Sequence, residues 1–178
     1  MARLANIVPK SARSFDSRRN LTRGDVAVTS HGLLVTFKCT KTIQFGERRL
    51  HILLLRIVDS PLCPVSAYLR MIGLVPARRS SAVFLISGPT GLVPLTKRSF
   101  VSNFRSCLVA AGISNAQSFR GHSFRRGAAS WAFSCGVPGE LIQLYGDWSS
   151  DAYKLYLEFS LESKLTLANQ LRQAIMHA

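Results

Sequence analysis

The chain has 178 residues, is 47% hydrophobic and carries a formal net charge of +14, with 17 arginines against 6 lysines. That apolar fraction excludes a disordered tail, and the length suits one domain with a substantial core. No apolar run approaches the ~20 residues of a bilayer-spanning helix, and there is no hydrophobic signal segment; the charge leads to the expectation of a polyanionic partner.

The first forty residues are basic, with Arg3, Lys10, Arg13, Arg18 and Arg19. Clustered β-branched and aliphatic residues then predict strands over 26–28, 32–38 and 49–58, with turns at Ser30-His31-Gly32 and Phe45-Gly46-Glu47. Pro64 suits the first turn of a helix over 63–72, and 82–87 reads as a short strand before a turn at Gly88-Pro89-Thr90-Gly91. Helices follow. One covers 96–111 and stops at Gly112; the next repeats Phe124, Ala128, Trp131, Ala132 and Cys135 at helical spacing, with Trp131 assigned to the core, and stops at Gly136. A third covers 139–145 and ends at Gly146, and a fourth starts behind Ser149 and Ser150, whose hydroxyls suit an N-cap. In the tail, Leu161, Leu165, Ala168, Leu171 and Ile175 share one face of a last helix. The expected class is α+β, a small antiparallel sheet packed against a mainly helical body.

Charge is unevenly placed. No acid lies between Asp59 and Glu140, so residues 1–139 carry +16 and the remainder −2. A basic body and an acid-rich tail imply different partners. Arg78, Arg79, Lys97, Arg98, Arg120 and Arg126 are candidate contacts to a phosphate backbone. Cys39, Cys63, Cys107 and Cys135 lie far apart without a neighbouring histidine, and read as reduced core thiols with no metal. No other cofactor motif is present. His31, His51 and His177 have no partner pattern and read as surface or packing residues.

The densest chemistry lies in residues 120–156. His122 and Arg125 stand three apart at the mouth of a helix, and Trp148, Tyr153 and Tyr156 follow about thirty residues later. The order His-x-x-Arg, then Trp or His, then Tyr resembles the second half of the active site of tyrosine recombinases, the phage integrases and their relatives in eukaryotic tyrosine-recombinase retrotransposons and Crypton-like elements. With that cue, the segment Ala2 to Pro9 looks like the one carrying the family's first catalytic arginine, at Arg3. The stretch 33–44 followed by 48–54 looks like its β-hairpin, with Lys41 at the turn.

The resemblance implies cutting and rejoining of double-stranded DNA in the nucleus for integration of a mobile element. Its catalytic set would be Arg3, Lys41, His122, Arg125, Trp148 and Tyr156. The residue types suit the task. A guanidinium offers paired donors to two phosphate oxygens and stays charged, and a phenol with an ordinary pKa near ~10 needs a cationic surround to attack as phenolate. A phosphotyrosyl intermediate conserves the energy of the broken bond, so neither ATP nor metal is required. Lys41 would be the acid for the leaving 5′ oxygen, His122 a base or hydrogen-bond partner, and the Trp148 indole N–H a donor to a phosphate oxygen.

Three departures from the family pattern stand out. The helices before the first arginine and a separate DNA-gripping domain are not in this sequence, so residues 1–178 are expected to be a catalytic domain lacking them, with 161–178 a C-terminal helix that docks on a neighbouring subunit. Arg3 and Lys41 are 38 residues apart, wide for the family, with Arg23 the alternative first arginine. Tyr156 lies nine residues after Asp147 and eight after Trp148, so either fits the Trp or His position; Trp148 is preferred because a carboxylate repels phosphate. Tyr153, one helical turn before Tyr156, is the alternative nucleophile. From a different class, a non-catalytic DNA-binding module derived from a recombinase explains the same charge.

Overall fold

A computed structural model describes residues 2–40, 43, 49–157 and 161–176. The chain is α+β and forms two compact units, Ala2–His122 and Ser123–Ala178.

The first unit holds the strands. A short helix α1 (Leu4–Ile7) precedes a three-stranded antiparallel sheet ordered β1 (Val26–Val28), β2 (Gly32–Phe37), β3 (Leu50–Leu55). In β2 the period-two pattern turns Leu33, Val35 and Phe37 inward. Val35 and Phe37 meet Leu21, Ile52 and Val83 in the main core. Leu33 joins Cys63 and Val65 below α2 (Pro64–Leu74), whose first residue is the proline expected there. A hairpin of β4 (Leu85–Gly88) and β5 (Gly91–Pro94) leads into α3 (Lys97–Ala110), capped by the Thr96 hydroxyl accepting from the Ser99 amide at 3.2 Å. Gly112, at φ 77°, ends that helix in the left-handed region, where glycine avoids the Cβ clash.

The third expected strand is shorter than 49–58 because Ile57 and Val58, 47% and 73% exposed, have left the sheet before Asp59 turns with φ 56°. The strand expected over 82–87 is split. Ala82 pairs only with Thr22 as an isolated bridge, and the ladder begins at Leu85. The expected hairpin turn at 45–47 lies outside the described residues.

The second unit is helical: α4 (Gly121–Ser134), which starts in the last residues of the first unit, then α5 (Gly139–Gly146) and α6 (Leu161–Met176). Ala129, Ile142 and Tyr153 form its core. The helix expected after Ser150 is a 3-10 helix, Asp151–Tyr156, pinned by a 2.7 Å ion pair between exposed Asp151 and Lys154. Trp131, assigned to the core by periodicity, is 72% exposed. The stripe is real, but the inward face of α4 is centred on Arg125 and Ala129 instead. The thiols also differ from expectation: all four are free, yet Cys107 and Cys135 are exposed and only Cys63 is buried. Among the described residues no helix is long and apolar enough to cross a membrane.

One polar knot steadies the first unit. Asp25 Oδ2 accepts from the Thr22 amide at 2.8 Å, the Thr22 hydroxyl at 2.7 Å and Lys38 Nζ at 2.7 Å. Burial alone would raise this carboxyl's pKa, but the hydrogen bonds and the Lys38 charge outweigh it and hold the group below its ordinary value of 3.8. A depressed folded-state pKa stabilises above the unfolded value, and the benefit is lost as pH falls through the lower folded value. Melting temperature should therefore drop below about pH 4, and Asp25→Asn should cost about 1–3 kcal/mol at pH 7 while flattening that acid limb. Thermal melts from pH 7 to pH 2 check both; an unchanged acid limb in the variant would assign the acid loss to other groups.

Candidate functional site

The second unit gathers three of the residues singled out by sequence. Arg125, on the inward face of α4, is only 4% exposed, and its guanidinium carbon lies 3.6 Å from the centroid of the Trp148 ring. The Trp148 and Tyr156 ring centroids are 6.3 Å apart, tilted by 49°. Trp148 also meets Tyr153 at 6.2 Å. The two tyrosines differ in setting: Tyr153 is 3% exposed within the core, whereas Tyr156 is half-buried. Ser130 Oγ, one turn beyond Arg125 on α4, donates to the backbone carbonyl of Tyr156 and so ties the 3-10 helix to α4.

The local sequence explains how the indole gets there. α5 ends with Asp147 in the left-handed conformation, φ 52° and ψ 50°, which aspartate tolerates better than most residues. The Asp147 amide donates to Leu144 O and the Trp148 amide to Gln143 O, each at 3.1 Å, closing the helix end. The chain thereby doubles back and lays the Trp148 ring on Gly146. A Cβ at position 146 would overlap that ring, so glycine is required by close approach. Gly146, Asp147 and Trp148 are thus one device: room, reversal and ring.

The arrangement stacks a permanent cation on an indole, with a phenol beyond it. A desolvated cation–π contact of this kind is worth roughly 2 kcal/mol, and it fixes the guanidinium plane. Its donors suit a phosphate, and the phenol is the available nucleophile.

The remaining residues fall elsewhere. Lys41 lies outside the described residues. Arg3 is the half-buried residue preceding α1, and His122, exposed in the first turn of α4, lies in the first unit. Arg23, the alternative to Arg3, is 8% exposed, with Nη2 donating to Met71 Sδ on α2 at 3.5 Å and Nε lacking a hydrogen-bond partner among the described residues. It packs as a core side chain. A buried guanidinium with no carboxylate beside it among the described residues gains little over a matching apolar chain, so Arg23→Met should melt at or above the parent's temperature, whereas a marked loss of stability would show that the charge is compensated.

Of the candidate phosphate contacts, Lys97, Arg98 and Arg120 line a cleft of about 1530 Å³ in the first unit, and His122 lies at its edge. Arg78 and Arg79 are exposed outside it, on the turn whose Arg79 carbonyl accepts from the Gly24 amide at 2.8 Å. Arg126 is exposed on α4. The cleft adds cations the sequence reading missed, Lys10, Arg19 and Arg105. Lys10 and Arg19 are some eighty residues from α3 in sequence, a separation no local pattern bridges. Arg105 was legible, since 98, 102, 105 and 109 share a helical face.

No protein-family model matches this sequence, and no curated protein matches it either.

Proposed function

We propose that this chain breaks and rejoins DNA in the manner of a tyrosine recombinase, with Tyr156 as the nucleophile, in the nucleus and in the service of integrating a mobile element. The observation that carries the proposal is the cluster of Arg125, Trp148 and Tyr156, three residue types suited to phosphodiester transfer, drawn together from α4, the connection after α5 and the 3-10 helix. The basic composition supports a DNA partner independently.

In the reaction, Tyr156 Oη attacks phosphorus, the bond to the 5′ oxygen breaks, and a 3′-phosphotyrosyl bond forms. The phenolic proton leaves to a general base, and the 5′ oxygen takes a proton from a general acid, the roles that the resemblance gives to His122 and Lys41. Arg125 holds the non-bridging oxygens and Trp148 donates its indole N–H. Rejoining reverses these steps. The exposed apolar stripe of α6, with Leu161 at 74% and Ile175 at 77% exposure, suits docking on a second copy when several chains assemble on DNA.

A nicked suicide duplex, which traps the covalent intermediate, tests the proposal: a band shifted by the mass of the protein on a denaturing gel, formed equally in EDTA, is expected. Absence of an adduct despite DNA binding would reject it in favour of the second reading, a non-catalytic DNA-binding module. One observation favours that reading: the burial of Arg125 over Trp148 suits a structural cation as well as a catalytic one.

A further inference from the structure

The cleft of the first unit has two walls of unrelated origin. One is the face of α3 from Lys97 to Val109, a rise of ~18 Å at 1.5 Å per residue. Lys97, Arg98 and Arg105 lie along it, and Arg105 is held in place by its Nε donating to Phe119 O at 2.9 Å. The other wall is the segment 10–20, which contributes Lys10 and Arg19 together with Asp16, the one acid of the cleft among the described residues.

That second wall is built rather than loose. Ser11 and Ser14 cap one another, each hydroxyl accepting from the other's amide at 3.2 and 3.0 Å. Asp16 Oδ1 accepts from the Arg18 amide at 2.9 Å, and the Asp16 amide donates to Asn20 Oδ1 at 2.8 Å. Lys38 Nζ donates to Ser17 O at 2.7 Å and anchors the segment to the end of β2. The Lys97 amide donates to Pro9 O at 3.0 Å, which joins the two walls at their base. A preorganised cationic wall spares the ordering entropy that a mobile basic arm would lose on binding.

We propose that segment 10–20 and α3 form a clasp for the phosphate backbone of double-stranded DNA. This rests on the recombinase reading only for its choice of DNA as the polyanion. At ~18 Å the α3 wall is long enough to run beside several consecutive phosphates of one strand. Among the described residues the cleft is lined by six cations, Lys10, Arg19, Lys97, Arg98, Arg105 and Arg120, against one acid, so its main chemistry is cation against phosphate.

The full chain is titrated with a labelled duplex of arbitrary sequence from 50 to 300 mM salt, alongside Lys10→Ala with Arg19→Ala, and Asp16→Asn. The double variant should lower the slope of log K against log salt by about 1.8, at roughly 0.9 for each phosphate no longer neutralised. Asp16→Asn keeps the acceptor for the Arg18 amide and removes the repelling charge, so it should tighten binding by roughly two- to five-fold at low salt. A gain in affinity is an outcome that misfolding cannot produce. An unchanged slope in the double variant, no tightening in Asp16→Asn, or tighter binding of single strands or duplex RNA than of duplex DNA would overturn the clasp. The suicide-substrate adduct is scored separately: no adduct with the salt slopes as expected rejects the recombinase and leaves the clasp, whereas an adduct with unchanged slopes does the reverse.

Discussion

Tyr156→Phe should abolish the covalent DNA adduct, while Tyr153→Phe should retain it. Each substitution keeps its ring, so each keeps its packing: Tyr156 against Trp148, and Tyr153 among Ala129, Ile142 and Trp148. Only the phenolic oxygen is removed, and only a phenol that can reach phosphorus in line with the leaving oxygen serves as nucleophile. Tyr153, at 3% exposure, has its hydroxyl close against Gly139, where a Cβ would approach it to 3.1 Å. Truncating that ring is a different experiment. Tyr153→Ala removes a core aromatic and should cost about 3–5 kcal/mol, so adduct loss there reports unfolding. Adduct formed by Tyr156→Phe but not by Tyr153→Phe would transfer the nucleophile to the buried tyrosine and require the 3-10 helix to open.

Where periodicity and turn chemistry decide the outcome, the fold was legible. Leu33, Val35 and Phe37 alternate because one face of β2 meets the core, and Pro64 and Gly112 mark helix ends for backbone reasons that act locally. Legibility failed where a competing burial choice is made by distant residues. Trp131 and Ala129 lie on different faces of α4, and hydropathy favours burying the tryptophan. Arg125 instead turns inward with Ala129, because its charge is stacked on an indole twenty-three residues later. The 3-10 character of Asp151–Tyr156 is illegible for a similar reason: a serine start is common to both kinds of helix, and the six residues end where the chain must carry Tyr156 back to Ser130.

The candidate site divides along the same line. Residue types and order pointed to Arg125, Trp148 and Tyr156 as a group, but nothing in the order of residues foretold that the guanidinium would lie against the ring at 3.6 Å. Ser130, which ties Tyr156 to α4, carried no signal, because serine on a helix is ordinary. The cleft wall at 10–20 read as a plain basic stretch, since its capping serines and Asp16 turn gain meaning only beside α3.

Gly146→Ala should disrupt the site more than any other substitution of one hydrogen by a methyl group. The new methyl would occupy space held by the Trp148 ring, and the ring can leave only by giving up Arg125 over its face and its contacts with Tyr153 and Tyr156. Gly146 is itself buried, so the methyl meets packed atoms rather than solvent. Overpacking of this kind costs about 1–3 kcal/mol, partly offset by the helix preference of alanine over glycine, roughly 1 kcal/mol. The cheapest relief is to swing Trp148 outward, which breaks the cation–π pairing and uncovers the guanidinium. Fluorescence can follow this, for the chain has only two tryptophans and the exposed Trp131 can be replaced by phenylalanine at little cost to the core. In that background Gly146→Ala should shift the Trp148 emission to the red and remove the adduct while most of the far-ultraviolet helical signal remains. Unshifted emission with full adduct would mean that the chain end at Asp147 yields instead of the ring, and that the fit of Trp148 onto Gly146 does not set the geometry around Arg125.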